Sequence, residues 1–197
     1  MLPEHLSADL CSLKEGVDRP CLAVRMVFDR GGRKRSHKFL RGVMRSAARL
    51  TYAQAQTAFD GKPDAKIPPR ARETLDALWA CYGALVKARG TRDPLDLDLP
   101  ERRIILGADG KVASIAYRER LESMRLIEEF MVLANVAAAE ALEKARTPLI
   151  YRIHDKPSKE KLFSFGDFLR TVGVAFAKGQ VIKPGVFNRL LQGAKGK

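Results

Sequence analysis

The sequence predicts an α+β fold with two antiparallel hairpins and a long central helix. Gly31-Gly32 and Asp109-Gly110 each lie between strand-like segments, and both dipeptides favour hairpin turns. An apolar pattern at helical spacing continues over about 119–146, which predicts the long helix. Because no internal repeat or composition shift marks a boundary, the pattern favours one unit.

The elements follow from local signals in chain order. The alternating segment 21–29 and its return at 38–44 predict the first hairpin. Thr51 and Gln54 have the spacing of a capping box, which predicts a helix starting at Tyr52. The other predicted elements are helices at 52–60, 70–89, 158–172 and 183–193, strands at 102–107 and 112–118 that form the second hairpin, and a strand at 149–154.

Positive charge is the most informative feature of the composition. The 197 residues include 36 Lys+Arg against 23 Asp+Glu, a formal net charge of +13. Such an excess favours a polyanionic partner, most often nucleic acid. A basic protein without such a partner is the alternative that charge alone leaves open. The hydrophobic content of 46% argues against wholesale disorder.

Membrane and secretory signals are missing from the pattern. No stretch approaches the roughly 20 apolar residues of a membrane span, and the first residues lack a basic segment followed by an apolar one. Cys11, Cys21 and Cys81 have no CxxC spacing, which favours reduced thiols. We therefore expect a cytoplasmic protein.

A basic block occupies the first hairpin. Eight cations and no acidic residue lie between Arg30 and Arg49. A hairpin that carries them would present them to a phosphate backbone, and binding would weaken steeply with salt. The alternative is a solvated hairpin surface. The block consists of Arg30, Arg33, Lys34, Arg35, Lys38, Arg41, Arg45 and Arg49, of which Arg33, Lys34, Arg35 and Lys38 are the candidate contacts.

Tyr52 follows this block as the first residue of a predicted helix. The free N–H groups and positive dipole end of a helix N-terminus favour a phosphate. A tyrosine there can stack on a base or hydrogen-bond to a sugar. The alternative is a tyrosine half-packed on the hairpin.

Glu128 lies off the solvent-facing stripe predicted for the long helix. That stripe contains Glu122, Arg125, Glu129, Glu140 and Glu143. Glu128 instead aligns with Leu121, Met124 and Met131 at the flank of the apolar face. A carboxylate there needs a partner, either a structural arginine or a ligand hydroxyl.

Motifs for autonomous catalysis are missing. The sequence has no GxxxxGK[ST] or HExxH, and His5, His37 and His154 lack metal-ligand spacing. Asp96 and Asp98 alternate on an extended connector, which is weak support for a metal site. The residues alone predict neither a metal site nor a self-sufficient enzyme.

Five strings together resemble the ribonuclease II / ribonuclease R family, and most of all its ribonuclease R branch. They occur in the family's order and spacing over nearly the whole chain. The strings are MLPEHLSADLCSL at 1–13, RLTY at 49–52, LDLDLPE at 95–101, MRLIEEFMVLAN at 124–135 and YRIHDKPS at 151–158.

The resemblance implies Mg²⁺-dependent, processive 3′→5′ hydrolysis of single-stranded RNA to nucleoside monophosphates. It implies a mixed α/β RNB domain threaded by RNA, in an enzyme that is a monomer. Tyr52 and Glu128 correspond to residues that recognise the 3′-terminal ribose. Leu97 stands about where the family often has a phenylalanine that stacks on the terminal bases.

Two parts of the family pattern have no counterpart here. The resemblance places a string of four aspartates upstream and an arginine segment downstream, and neither occurs in 1–197. We therefore expect 1–197 to be a central part of an RNB domain, inactive alone and without bound Mg²⁺. The alternative is a stand-alone, non-catalytic basic RNA-binding protein. A basic structural or ribosome-associated protein would leave the five strings unexplained.

Overall fold

The structure is a computed structural model that describes residues 2–62, 67–90, 95, 101–153, 155–176 and 184–194. It contains the expected mixture of hairpins and helices, after a short π-helical segment at His5–Leu10. The strands are β1 (Asp18–Phe28), β2 (Lys34–Arg45), β3 (Glu101–Leu106) and β4 (Val112–Arg118). The helices are α1 (Tyr52–Phe59), α2 (Pro69–Gly90), α3 (Glu122–Lys144), α4 (Lys159–Thr171) and α5 (Pro184–Ala194).

The first hairpin is longer than the sequence pattern predicted. β1 pairs antiparallel with β2 from Asp18 opposite Arg45 to Phe28 opposite Lys34. The Asp29 carboxylate holds the turn, because Oδ1 accepts hydrogen bonds from the backbone N–H of Gly31 and of Arg33, each at 2.9 Å. The Arg33 N–H bond is the main cause that lowers the pKa of Asp29.

Gly32 brings this turn against α2. Its φ is +75°, in the left-handed region that favours glycine. A Cβ at this position would collide with the carbonyl oxygen of Ala84 and lie 2.7 Å from its carbon and 2.9 Å from Ala88 Cβ. The close approach of turn and helix therefore depends on glycine.

The second hairpin makes few contacts with the other described elements. β3 and β4 pair antiparallel, with Ile104 opposite Ile115, and the turn closes through the Gly107 N–H, which donates to the Lys111 carbonyl at 2.8 Å. No described helix packs extensively against it.

Helices α1, α2 and α3 form the small core. The capping box is confirmed: Gln54 N donates to Thr51 Oγ1 at 3.2 Å, and Thr51 N donates to Gln54 Oε1 at 2.9 Å. Buried side chains on the three helices meet between them, and the other described buried apolar residues are Ile67 and Leu169. The buried apolar residues of the three helices are Ala58, Tyr82, Leu85, Leu126 and Ala137.

The predicted strand at 149–154 is wrong for its described part. Residues 149–153 have no regular secondary structure, and His154 lies outside the described residues. A strand needs a hydrogen-bonded neighbour, and no described strand pairs with this segment. Ile150 is 98% exposed and Ile153 is 77% exposed. The apolar side chains that suggested a strand therefore face solvent.

Replacing Gly32 with alanine will destabilise the protein more than the matched change at Gly110. Both glycines have φ of +75°, but a Cβ at Gly110 meets nothing within 4 Å. Positive φ alone costs a non-glycine residue about 1–2 kcal/mol, and the collision at Ala84 adds about 1–3 kcal/mol. Urea unfolding of Gly32→Ala and Gly110→Ala measures the difference. Equal losses for the two variants would contradict the close approach of turn and helix.

Candidate functional site

Tyr52 is held where α1 begins against α3. Ser123 Oγ donates to the Tyr52 carbonyl at 2.8 Å, and Ser123 N donates to Gln56 Oε1 at 3.0 Å. Ser123 is buried, whereas Tyr52 is 44% exposed. The backbone of Tyr52 is therefore fixed by the first turn of α3, and part of the tyrosine side chain remains accessible to a ligand.

Glu128 lies further along α3, and its partner is an arginine. Arg120 Nη2 lies 2.8 Å from Glu128 Oε2, and the Glu128 side chain is half exposed. Glu128 follows Ser123 by five residues, which corresponds to a rise of about 7.5 Å and a rotation of about 140° around the helix. Glu128 therefore lies on a different face of α3 from the one that contacts α1.

The predicted solvent-facing stripe of α3 is wrong at Glu129. Glu129 is buried, with 4% of its surface exposed, while Met131 is 61% exposed. Arg89 of α2 approaches Glu129, with Nη1 to Oε2 at 3.7 Å. Apolar residues occur on several sides of α3, so periodicity alone could not decide which side α1 and α2 would cover.

Several cations of the basic block form ion pairs within the protein. Lys34 Nζ lies 2.7 Å from Glu140 Oε2 of α3, and only 14% of the Lys34 side chain is exposed. Arg35 Nη2 lies 2.7 Å from Asp29 Oδ2. Arg45 donates to Asp18 in a two-bond pair at the far end of the hairpin. The block is therefore not a uniform row of free cations.

Arg25 and Lys38 form an exposed cross-strand cation pair on the first hairpin. They lie directly opposite each other in the β1–β2 register, and both are exposed. Neither has an acidic partner among the residues that the structure describes. Like charges directly opposite on a sheet are destabilising, and a bound anion would relieve this repulsion. Arg25 lies outside 30–49, so only the strand register could have revealed it.

A cavity of about 700 Å³ lies between the first hairpin turn, α2 and α3. Glu140 stands at its edge and accepts from Lys34 Nζ at 2.7 Å, with His37 Nδ1 at 3.4 Å. The bond from Lys34 is the main cause that lowers the pKa of Glu140. The contacts of Glu140 therefore tie the hairpin to α3 by charge. Other lining residues include Asp29, Arg33, Lys87 and Glu129.

Tyr82 adds a polar contact between α2 and α3. Its hydroxyl donates to Glu122 Oε2 at 3.1 Å. Burial, followed by the charge of Glu122, raises the pKa of Tyr82 to about 12. Tyr82 therefore stays neutral at ordinary pH and acts here as a donor between helices.

Some features expected from the sequence have no described counterpart. Leu97, Asp96 and Asp98 lie outside the described residues. Within the described ranges, no group of three or more His, Cys, Asp or Glu side chains is placed to hold a metal ion. The helices that the structure describes include none with the length and apolarity to cross a membrane.

Comparison with known families gives one match over almost the entire chain. The RNB domain model matches residues 1–192. Ribonuclease R of Escherichia coli (strain K12) is 38% identical over 194 residues, which cover 98% of this chain and 24% of that protein. Ribonuclease R of Aquifex aeolicus is 35% identical over 198 residues, covering 100% of this chain and 28% of that protein.

Solved structures agree with the sequence match. RNase R of Mycoplasma genitalium in complex with ribose-methylated single-stranded RNA is similar, with a TM-score of 0.87 and 26% identity. The similarity covers 99% of this chain and 31% of that one. The same RNase R in complex with double-stranded RNA has a TM-score of 0.87 and covers all of this chain.

The contacts of Glu140 with Lys34 and His37 predict a pH-dependent contribution to stability. The folded-state pKa of Glu140 is lowered, so this contribution is complete above the unfolded pKa of about 4.3 and is lost as pH falls through the folded value. Urea unfolding of Glu140→Gln should show a loss relative to the wild type at neutral pH, and a smaller loss in strong acid.

Glu73→Gln is the matched control, because Glu73 is exposed on α2 and has no ion pair with a described residue. It should leave stability nearly unchanged at both pH values. If Glu140→Gln loses the same free energy of unfolding in acid and at neutral pH, the charge of Glu140 does not stabilise the contact between the hairpin and α3.

Proposed function

The chain belongs to the RNB-domain family of ribonuclease R, and from this we propose that it supplies part of the RNA path of a 3′→5′ exoribonuclease that releases nucleoside monophosphates. The observation that carries the proposal is a ribonuclease R match over 98% of the chain. The chain spans about a quarter of the length of the curated relatives it matches. From the resemblance we also propose that residues 1–197 are a central part of an RNB domain.

Tyr52 and Glu128 are proposed to recognise the 3′-terminal ribose. Tyr52 is supported by its partly exposed side chain and its fixed backbone. Arg120 bonds to Glu128 Oε2, and the second carboxylate oxygen can accept from a ribose hydroxyl. The 2′-hydroxyl distinguishes RNA from DNA, so this pair would select RNA.

The first hairpin is proposed to contact the RNA backbone. Arg25 and Lys38 are supported because both are exposed, lack described acidic partners and lie directly opposite each other. Arg33 lines the cavity beside the hairpin turn and remains a candidate. Lys34 and Arg35 remain candidates too, although each would have to exchange a described ion pair for a phosphate. Leu97 remains a proposed base contact.

Members of the family generally use a divalent metal, and Mg²⁺ is the expected ion. The described residues do not fit such a site, because no three ligand-type side chains converge. The described residues therefore support no catalytic step through Mg²⁺. We propose that the 197-residue chain alone does not hydrolyse RNA, and that the complete enzyme acts as a cytoplasmic monomer.

Neutralising Arg25 and Lys38 together should weaken binding of a single-stranded oligoadenylate. Each lost phosphate contact should reduce the slope of log K against log salt by about 0.7. The measurement is fluorescence anisotropy of labelled RNA with Arg25→Gln/Lys38→Gln over a salt series. Arg45→Gln is the matched control, since Arg45 lies on the same hairpin but is paired with Asp18.

The control should retain most of the affinity and of the salt slope. Binding that is insensitive to salt, or equal losses in the control and the double variant, would refute the proposed backbone contact.

The purified chain, incubated with Mg²⁺ and single-stranded RNA, should release no nucleoside monophosphate above a protein-free blank. Chromatography of the products measures this directly. Mg²⁺-dependent release that disappears on Glu128→Ala would show that the chain is active by itself. RNA binding without release, even when the rest of a ribonuclease R is supplied, would favour the non-catalytic RNA-binding alternative.

A further inference from the structure

The cavity beside the first hairpin turn has the size and the wall of a small-molecule site. It measures about 700 Å³, and pockets for small ligands usually measure about 300–1,000 Å³. Part of its wall is apolar and consists of Leu85, Leu133 and Val136. Neither Tyr52 nor Glu128 is among its described lining residues, so the role proposed for those two residues does not account for it.

Each described carboxylate that lines the cavity already has a cationic partner. The pairs are Asp29 with Arg35, Glu129 with Arg89 and Glu140 with Lys34. Two of these cations, Arg35 and Arg89, are not among the described lining residues. The lining carboxylates are therefore neutralised partly from outside the cavity, and they do not neutralise the two other cations that line it.

Those two cations are Arg33 and Lys87. Arg33 follows the hairpin turn and Lys87 lies in the last turn of α2, and both are exposed. Neither side chain has an acidic partner in the part of the chain that the structure describes. The backbone N–H groups of Gly31 and Arg33 already donate to Asp29, so an anion in the cavity would bind to the two side chains.

Glu140 adds a hydrogen-bond acceptor at the edge of the cavity. Its described contacts, from Lys34 and His37, both involve Oε2. Oε1 can therefore accept a hydrogen bond from a hydroxyl group. The cavity thus combines two cations, an acceptor and an apolar wall in one small-molecule-sized space.

We propose that the cavity binds a nucleoside monophosphate. The phosphate would bind to Arg33 and Lys87 through charge-assisted hydrogen bonds. A ribose hydroxyl would donate to Glu140 Oε1, and the base would lie against Leu133 and Val136. The choice of this ligand rests on the proposed function, because a 3′→5′ exoribonuclease that releases nucleoside monophosphates brings them to this surface.

Two other phosphate ligands fit the cavity less well. Inorganic phosphate would use the two cations and leave the apolar wall and Glu140 without a contact. An internal phosphodiester of RNA carries a single negative charge, whereas a phosphate monoester carries about −1.5 to −2 at pH 7. The monoester therefore matches a pair of cations more closely.

Isothermal titration calorimetry of the 197-residue chain with AMP tests the proposal. AMP should bind at least about tenfold more tightly than inorganic phosphate or adenosine, because only AMP makes both kinds of contact. Arg33→Gln and, independently, Lys87→Gln should each weaken AMP binding at least about fivefold, through the loss of a charged hydrogen bond. Arg70→Gln is the matched control and should leave the affinity unchanged, because Arg70 is exposed on α2 and does not line the cavity.

The apolar wall is tested by a second pair of variants. Val136→Asp places a carboxylate against the bound nucleotide and should remove measurable binding of AMP. Val132→Asp is its control, because Val132 is 44% exposed on the same helix and does not line the cavity. Circular dichroism of each variant must match the wild type, and the glutamine variants supply the result if Val136→Asp unfolds.

Four results would overturn the proposal. They are a titration with AMP that shows no saturable heat, equal affinities for AMP and inorganic phosphate, equal losses for Lys87→Gln and Arg70→Gln, and AMP binding that Glu128→Gln removes but the cavity variants do not. The anisotropy measurement with oligoadenylate reports on Arg25 and Lys38 instead. RNA binding can therefore fail while AMP binding stands, and AMP binding can fail while RNA binding stands.

Discussion

Helix α3 connects α1, α2 and the first hairpin, and it does so largely through polar groups. Ser123 bonds to α1, Glu122 to Tyr82 of α2, and Glu140 to Lys34 of β2. Ser123 is buried, and a buried polar group needs a partner, so its bond fixes α1 on α3, while the partly exposed Glu122 and Glu140 add directional contacts to α2 and β2. Tyr52, the first hairpin and the cavity beside the hairpin turn are all positioned by contacts with this one helix.

The same arrangement explains why so much apolar surface stays open. The buried apolar core is small, and it lies on the side of α3 that faces α1 and α2. On the other side, Ile127 and Met131 are exposed beside Glu128. Ile104 and Ile115 of the second hairpin, and Ile150, are likewise exposed. The chain spans about a quarter of the length of the curated relative from Escherichia coli.

Local sequence signals predicted most helices and hairpins well. They predicted poorly which faces are buried and which residues lie opposite each other across strands. Gly31-Gly32 and the Thr51–Gln54 box correctly located a turn and a helix start, because both depend on neighbouring backbone atoms. Glu129 was misassigned because the burial of a helix face depends on partners distant in sequence. The strand at 149–154 failed for the same reason, and the Arg25–Lys38 pair appears only once the register is known. The roles of Tyr52 and Glu128 came from resemblance and remain predictions.

Recognition of the 3′-terminal ribose is the central claim, and it can be measured by equilibrium binding. The chain would be titrated with two labelled RNA oligonucleotides that differ only in a ribose or a 2′-deoxyribose at the 3′ end. A hydrogen bond to a charged group contributes about 1.5–3 kcal/mol, so we expect at least about tenfold tighter binding of the ribose end. Glu128→Gln should reduce this preference, and Glu73→Gln should preserve it. Equal affinity of the wild-type chain for the two ends would contradict the account.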